Sequence, residues 1–466
     1  MSADPSAAPL RADRSRVPAV GPDPAFHFPE IARHSLTNGL QIRTVQHEAA
    51  PVITFVLQVE GGSGADPDGK EGLAAIVADM LDEGIGALSA IEVSDSLARL
   101  GAEYDVDVAP DVTTLSLTTL DRFSRPAAAL LSDLVTKPAF RSADFERVRQ
   151  LRIDRLKQMK DLAPAVAERA FLRLLYGAHP YGHLPLGSAS ALQHLSVEEA
   201  AAFHRETFHP GRATLVIGGP HPHADLLRIA EDAFGGWSRV EDRVRPAAAA
   251  DMAPAAPSLR GLAVLPREAA QQSELRIGHL SAQRNTPDYA SLIVMNAVLG
   301  GQFVSRLNLK LREEKGFTYG ARTGFDWRRG ISPFALQTSV HTAATAEAVR
   351  DSLVEIEAIR GGRPVTDTEL TLAKASLTRG YPRNFETVQQ VARSVSQLAL
   401  YGLPDSYFAA FVPTVNAITA QAVTEVASRY LDPAKLVTLV VGDHSAIADS
   451  LSTLGFDAID VLPPEL

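Results

Sequence analysis

The 466-residue sequence contains no cysteine, which excludes disulfide bonds and thiolate metal ligands. No apolar run approaches the roughly 18–20 residues that a membrane-spanning helix needs. Residues 1–29 contain arginine and proline but lack the apolar segment of a secretory signal. We therefore interpret them as a flexible tail, and we expect a soluble, cytoplasmic protein that does not bind membranes.

Positive charge is scarce relative to negative charge. The chain has 45 lysine and arginine residues against 55 aspartate and glutamate residues, which gives a formal net charge of -10 at pH 7. Nucleic acids and anionic membranes attract basic proteins, so this balance argues against both as non-specific partners. Hydrophobic residues make up 45% of the chain, which is ordinary for a globular protein with well-filled cores.

The chain contains an internal repeat. Residues 195–219 and residues 418–442 each have the pattern of an amphipathic helix, a stop marked by proline, and a continuous apolar strand. Pro210 of the first copy corresponds to Pro433 of the second. Two copies in a chain of this length predict two homologous domains.

Both copies also share a predicted order of elements: strands, a helix, strands, helices and a final strand. In the first copy, residues 112–120 alternate like a half-buried strand, and helices are predicted at about 125–136 and 143–161. Residues 332–340 are the matching strand of the second copy. This order predicts an α+β fold in which each domain is an antiparallel or mixed sheet packed with helices. The predicted organisation is a tail at 1–29, a first domain at 30–240, an Ala/Pro-rich linker at 241–257 and a second domain at 258–466.

A helix within residues 61–84 carries the main clue to function. The segment GGSGADPDGKEGLAAIVADMLDEG resembles the zinc helix of the pitrilysin family of metallopeptidases. In active members this helix carries His-x-x-Glu-His, in which two histidines bind zinc and the glutamate activates water. Here Ala75, Ala78 and Asp79 occupy those positions. One carboxylate falls short of the three protein ligands of a catalytic zinc site, so we expect no metal in this chain.

The family's third zinc ligand is also missing. The resemblance places a glutamate near Asp154 and Arg155, where this sequence has none. Asp154 could replace it chemically, but the other metal ligands are absent. The sequence therefore predicts that the metal site has been lost as a whole.

Further blocks of the family occur in the expected order between residues 35 and 460. They are LTNGLQIRT, LLYGAHPYGHLPLGS, FHRETFHPGRATLVIGG and GGQFVSRLNLKLREEKGFTYGART. The last block keeps an arginine and a tyrosine of the family, Arg312 and Tyr319. We place Arg312 late in a helix that ends at Gly316, followed by a strand from Phe317 to Tyr319.

In relatives this pair reaches across a cleft toward the zinc of a partner domain. Guanidinium and phenol groups are hydrogen-bond donors, so Arg312 and Tyr319 could hold a substrate carbonyl and stabilise its developing negative charge. The alternative is structural: Arg312 interacts with a helix C-terminus and Tyr319 fills a half-buried strand.

Two other kinds of polar residue are better explained as structural or solvated than as a metal or functional site. They are the histidine pairs His179 and His183, His204 and His209, and His221 and His223, and the acidic residues Asp66, Asp68 and Glu71. No helix presents the first pair together, and the acidic residues lack full calcium-loop spacing. We expect the acidic residues to form a solvated turn.

The resemblance implies a non-catalytic, substrate-binding subunit of a heterodimeric zinc metallopeptidase that cleaves peptides, similar to mitochondrial processing peptidase. A homologous partner would carry His-x-x-Glu-His and the zinc. Two alternatives stay open: an inert scaffold on the same fold, like the core subunits of respiratory complexes, and a homodimeric peptide-binding protein.

Overall fold

The computed structural model describes Ser15, Gly21 and residues 26–238, 248–254 and 261–463. Within these residues the chain forms two six-stranded mixed sheets, one from each half of the sequence, with helices packed on their faces. The predicted α+β fold with two homologous domains is confirmed.

The first half builds a sheet in the order β1-β2-β8-β3-β7-β6, with a small β4-β5 ribbon beside it. Its strands are β1 (Ile31–Ser35), β2 (Gln41–Gln46), β3 (Val52–Glu60), β4 (Gly84–Ile85), β5 (Leu88–Ser89), β6 (Glu103–Val108), β7 (Val112–Leu120) and β8 (Ala213–Gly219). Its helices are α1 (Leu73–Asp79), α2 (Ala90–Arg99), α3 (Ser124–Thr136), α4 (Ser142–Lys160), α5 (Ala163–Tyr176), α6 (Ala189–His194), α7 (Val197–Thr207) and α8 (His223–Phe234). The predicted strand at 112–120 is β7, and the helices predicted at 125–136 and 143–161 are α3 and α4.

The second half builds a sheet in the order β11-β12-β10-β13-β9-β14. Its strands are β9 (Gly261–Pro266), β10 (Gln272–Leu280), β11 (Ala321–Phe325), β12 (Pro333–His341), β13 (Val437–Gly442) and β14 (Ile459–Val461). Its helices are α9 (Tyr289–Asn296), α10 (Arg306–Asn308), α11 (Thr345–Glu357), α12 (Asp367–Thr378), α13 (Val388–Tyr401), α14 (Tyr407–Ala417), α15 (Ala420–Tyr430) and α16 (His444–Ser452). Strand β12 is the strand predicted at 332–340.

The two sheets share a five-stranded motif. The order β2-β8-β3-β7-β6 of the first sheet matches β9-β13-β10-β12-β11 of the second. In both, the first two strands run parallel and the following pairs run antiparallel. Pro210 and Pro433 each begin a single helical turn directly before β8 and β13. The predicted internal duplication is confirmed.

Each sheet is covered on one face by a helix from the other half. Helix α5 of the first half packs on β10 and β13 of the second sheet, where Phe171 and Leu175 join one cluster with Leu265 and Leu439. Helix α13 of the second half packs on β3 and β8 of the first sheet. This reciprocal exchange explains why the central strands are continuous apolar runs, since both of their faces are buried.

The exchange places its own apolar cluster over the first sheet. Val391 and Val395 of α13 lie against Val56 and Val216 of strands β3 and β8. Neither half therefore has a sheet that is fully buried by its own helices.

A buried arginine fastens the two halves together. Arg328 of the second half is 2% exposed and lies between the rings of Tyr176 and Tyr181, 4.9 Å from each ring centroid. Its Nη1 donates to the Tyr181 carbonyl oxygen at 3.0 Å, and its Nη2 to Asp326 at 2.7 Å. Tyr176 donates from its hydroxyl to the Ile331 carbonyl oxygen at 2.6 Å. The segment LLYGAHPYGHLPLGS thus joins the halves.

Among the described residues, the segment Tyr289–Glu314, which a loop at 302–305 interrupts, is long and apolar enough to cross a membrane by length and composition alone, and its most apolar stretch has a mean hydropathy of 1.3. More than half of its most apolar stretch, 56%, is buried inside the protein. Leu292, Leu299 and Leu311 of this segment are completely buried in the second core. Burial of this kind is the signature of a core helix.

Packed structure reaches into the predicted tail and linker. Phe26 and Phe28 stack against Phe385 of the second half, with ring centroids 4.9 and 5.2 Å apart, so packing extends at least four residues before the predicted boundary at 30. In the predicted linker, Ala249 is 7% exposed and packs in the cluster between the halves. Most of the tail, and residues 241–247 and 255–257 of the linker, lie outside the described residues.

The helix exchange predicts that a smaller side chain in the buried face of α5 destabilises the second half. We expect Phe171→Ala to cost about 3–5 kcal/mol of unfolding free energy, because it removes a buried ring from the cluster on the second sheet. Urea unfolding followed by circular dichroism measures this loss. The matched control is Leu151→Ala on α4, which is 59% exposed and should cost about 0.5 kcal/mol or less. Equal losses in the two variants would contradict the exchange.

Candidate functional site

A buried carboxylate, that of Asp66, binds the N-terminus of helix α1, which carries the degenerate motif. Asp66 accepts hydrogen bonds from the backbone N–H groups of Gly72 and Ala74, both at 2.7 Å, and its Oδ2 lies 3.0 Å from His183 Nε2. A carboxylate stabilises the free N–H groups and the positive dipole end of a helix start. The predicted solvated turn is therefore wrong for Asp66, which is 8% exposed, although Asp68 is exposed.

The three motif positions of α1 hold no metal ligand set. Ala75 and Ala78 are 2% and 1% exposed, so their methyl groups belong to the packed interior. Asp79 pairs with Arg152 of α4, whose Nε donates to Asp79 Oδ2 at 2.6 Å. The Arg152 side chain is 14% exposed and the Asp79 side chain 39%. An ion pair between α1 and α4 thus takes up the only carboxylate of the motif.

Asp154, the candidate third ligand, faces solvent instead of α1. It accepts from Lys157 Nζ at 2.8 Å and from Gln150 Nε2 at 3.0 Å, and these two bonds lower the pKa of its carboxyl. Within the described ranges there is no group of three or more histidine, cysteine, aspartate or glutamate residues that could hold a metal ion. A catalytic zinc needs three protein ligands, which these residues do not supply.

The end of α1 retains a perturbed acid that the sequence did not reveal. Burial raises the pKa of Asp82 to about 6, and the nearby carboxylates of Glu83 and Asp79 add to the rise. Burial and the charge of Asp82 also raise the pKa of Tyr104 on the neighbouring strand β6. Negative charge is therefore concentrated at this end of α1, where Arg147 acts on Asp82 and Arg152 pairs with Asp79.

Arg312 lies in the last turn of a helical segment, Leu309–Glu314, as the sequence predicted. Gly316 ends this segment with a φ of 65°, and its N–H donates to the Arg312 carbonyl oxygen at 3.1 Å, which confirms the predicted glycine stop. The guanidinium carbon stacks 3.9 Å above the Phe303 ring. Arg312 Nη1 lies 3.0 Å from Glu313 Oε1, but the angles are too poor for a hydrogen bond.

Tyr319 projects into solvent with 93% of its surface exposed. The predicted strand from Phe317 to Tyr319 is wrong, because β11 begins only at Ala321. The reason is a local turn, in which the Thr318 hydroxyl accepts from Gly320 N at 3.1 Å and donates to the Gly320 carbonyl oxygen at 3.0 Å. The alternative of a half-buried strand residue therefore does not describe Tyr319.

Five of the six histidines singled out in the sequence have separate partners. His183 contacts Asp66, and His179 accepts from Tyr181 N at 3.1 Å. His221 Nε2 lies 2.6 Å from Asp121, and His223 Nδ1 lies 2.7 Å from the Thr44 hydroxyl. His204 Nε2 lies 2.9 Å from the Val135 carbonyl oxygen, and burial lowers its pKa to about 4. These contacts explain the histidines as structural.

The structure thus separates two features of the candidate site. Among the described residues, no hydrogen bond or ion pair links Arg312 or Tyr319 to α1 and its surroundings. Sequence reasoning missed Arg152, although it lies within one helical turn of the expected third ligand. A basic residue at that position is the one sequence signal that could have identified it.

Two family models match the sequence of this chain. Residues 42–184 match the family described as Insulinase (Peptidase family M16), and residues 194–377 match the Peptidase M16 inactive domain. The first match contains the degenerate helix, and the second contains Arg312 and Tyr319.

The curated relatives include proteins named as proteases and one named as a non-peptidase homolog. An uncharacterized zinc protease of Mycobacterium leprae is 22% identical over 351 residues, covering 75% of this chain and 78% of the relative. Non-peptidase homolog YmxG of Helicobacter pylori is 23% identical, covering 80% of this chain and 85% of the relative. Probable mitochondrial-processing peptidase subunit beta of Schizosaccharomyces pombe is 22% identical and covers 59% of each chain.

Solved structures share the fold. A peptidase M16 inactive domain from Pseudomonas fluorescens superimposes with a TM-score of 0.80 and 22% identity, over 89% of this chain and 98% of that one. A protease from Helicobacter pylori gives 0.81 and 18% identity, over 89% of this chain and all of the other. The motif blocks, the duplicated sheets and the two family matches agree, and the chain belongs to peptidase family M16, the insulinase family.

Proposed function

We propose that this chain is the non-catalytic, substrate-binding subunit of a heterodimeric zinc metallopeptidase that cleaves peptides. A homologous partner carrying His-x-x-Glu-His would supply the zinc, in the cytoplasm. The observation that carries the proposal is a contrast within one chain. The metal positions of α1 are filled by buried alanines and an ion pair, whereas Tyr319 of the donor pair is 93% exposed.

The donor pair is suited to binding a peptide backbone. Tyr319 is 93% exposed and contributes little burial to the fold, and its hydroxyl is open to a bound peptide. The guanidinium of Arg312 lies over the Phe303 ring and its side chain is 29% exposed, so N–H groups other than the buried Nη1 would donate to a carbonyl oxygen. Two such donors aimed at one oxygen would hold an extended peptide and favour the negative charge that develops on that oxygen.

The relatives support this division of labour. One is named a non-peptidase homolog, and another is named a subunit of a processing peptidase. A family that contains such chains provides a precedent for a member without its own metal ligands.

An inert scaffold on the same fold is the second candidate. The pair of Asp79 and Arg152 favours it, because this contact joins α1 to α4 without any chemistry. An exposed Tyr319, and an Arg312 whose Nη1 makes no hydrogen bond, have no evident use in a scaffold, which is why we prefer the first function.

The first test is metal content. We expect the chain purified alone and dialysed against zinc to retain far less than one zinc per chain, because α1 offers one carboxylate that Arg152 already pairs. Inductively coupled plasma mass spectrometry measures the ratio. His221→Ala controls for adventitious zinc beside Asp121. Stoichiometric zinc that disappears in Asp79→Ala would contradict the proposal.

The second test is activity of the assembled pair. Arg312→Ala and Tyr319→Phe should each lower kcat for peptide hydrolysis by about 10²–10³-fold, the usual effect of losing one transition-state donor. Assembly, followed by size-exclusion chromatography, should not change. Arg350→Ala, at an exposed arginine of α11, is the matched control and should keep full activity. Unchanged activity in both site variants would favour the scaffold.

A further inference from the structure

A single buried amide joins the two segments that carry the donor pair. Asn308 is 5% exposed and lies between the 302–305 loop and the start of β11. Its Nδ2 donates to the Gln302 carbonyl oxygen at 3.1 Å, the Ser305 hydroxyl at 3.1 Å and the Ala321 carbonyl oxygen at 2.8 Å. Its Oδ1 accepts from Ala321 N at 2.8 Å. Both ends of the amide are therefore hydrogen-bonded.

The first of these segments supports Arg312. The 302–305 loop carries Phe303, whose ring is the surface on which the guanidinium stacks at 3.9 Å. Phe303 is itself 64% exposed, so burial in the core does not fix its place. The hydrogen bonds from Asn308 to the residues on either side of the ring, Gln302 and Ser305, hold it there.

The second segment supports Tyr319. Ala321, which exchanges two hydrogen bonds with Asn308, is two residues beyond Tyr319. On the other side, the Thr338 hydroxyl donates to the Gly320 carbonyl oxygen at 3.0 Å. The backbone beneath Tyr319 is thus held from two directions, although its side chain is 93% exposed.

We propose that Asn308 is the positioning residue of the Arg312 and Tyr319 pair: one buried amide sets the place of both donors relative to each other. This inference rests on the proposed function. Asn308 touches neither peptide nor metal and acts through the 302–305 loop and the start of β11. Such support matters because donors displaced by about 1 Å lose much of their effect on rate, up to about 10²-fold.

The experiment uses the assembled pair and measures kcat and KM for one peptide. Asn308→Leu keeps a similar size and removes all four hydrogen bonds, and we expect kcat to fall by about 10–100-fold while assembly is retained. The matched control is Asn38→Leu in the first half. Asn38 also donates to two backbone carbonyl oxygens, those of Phe234 at 2.8 Å and Trp237 at 3.0 Å. This control should lose stability without a comparable fall in kcat.

A second variant decides the matter if Asn308→Leu does not fold. Asn308→Asp keeps the acceptor for Ala321 N, but its ionised carboxylate cannot donate to the three oxygen acceptors. Protonation returns one donor. We compare the kcat of the variant heterodimer with that of the unmodified heterodimer at the same pH. We expect this ratio to rise as the pH falls through the titration of the new carboxyl.

The outcomes distinguish a failure of the proposed function from a failure of the positioning role of Asn308. If Arg312→Ala and Tyr319→Phe both leave kcat unchanged, the proposed function itself fails. If Arg312→Ala lowers kcat but Asn308→Leu behaves like Asn38→Leu, and Asn308→Asp shows no relative gain at lower pH, only the positioning role is overturned.

Discussion

The reciprocal burial of α5 and α13 is the constraint on which the rest of the molecule depends. Each helix leaves its own half and covers the sheet of the other, so that Phe171 and Val395 lie in clusters built by both halves. Apolar burial of this kind is the main favourable term in folding, and here neither sheet gains it alone. Arg328 adds a buried cation between two tyrosine rings of the opposite half. The positions of α1 and of Arg312 within the chain are therefore set by one shared core.

Within this frame, the positions that match the zinc motif form a structural contact. A carboxylate beside a packed helix is costly unless a cation compensates it, and Arg152 supplies that cation to Asp79 at 2.6 Å. Buried methyl groups replace the other ligands, and Asp66 and His183 secure the start of the helix. The donor pair is built in the opposite way, with an exposed Tyr319 and a half-buried Arg312 above a hydrogen-bonded support. This contrast fits a chain that has given up metal chemistry while keeping a surface for another molecule.

Local pattern was sufficient to predict the duplication, the strand at 112–120 and the glycine stop after Arg312, because these depend on periodicity and turn chemistry. The sequence predicted continuous apolar strands, but no pattern says which helix covers each face of a sheet, and the exchange of α5 and α13 was missed. Asp79 and its partner Arg152 are 73 residues apart, so their contact is a product of tertiary packing. The strand predicted at Tyr319 failed because the Thr318 side chain bonds its own backbone neighbours and turns the chain first. Contacts of this range, including those of Asn308, require coordinates.

The central claim is that this chain acts beside a homologous subunit that holds the zinc. The most direct measurement is affinity purification of the tagged full-length chain from its native cell, with mass spectrometry of the proteins that remain bound. The account predicts a roughly equimolar second chain of the same family that carries His-x-x-Glu-His. Recovery of the chain alone, or only with unrelated proteins, would contradict the account.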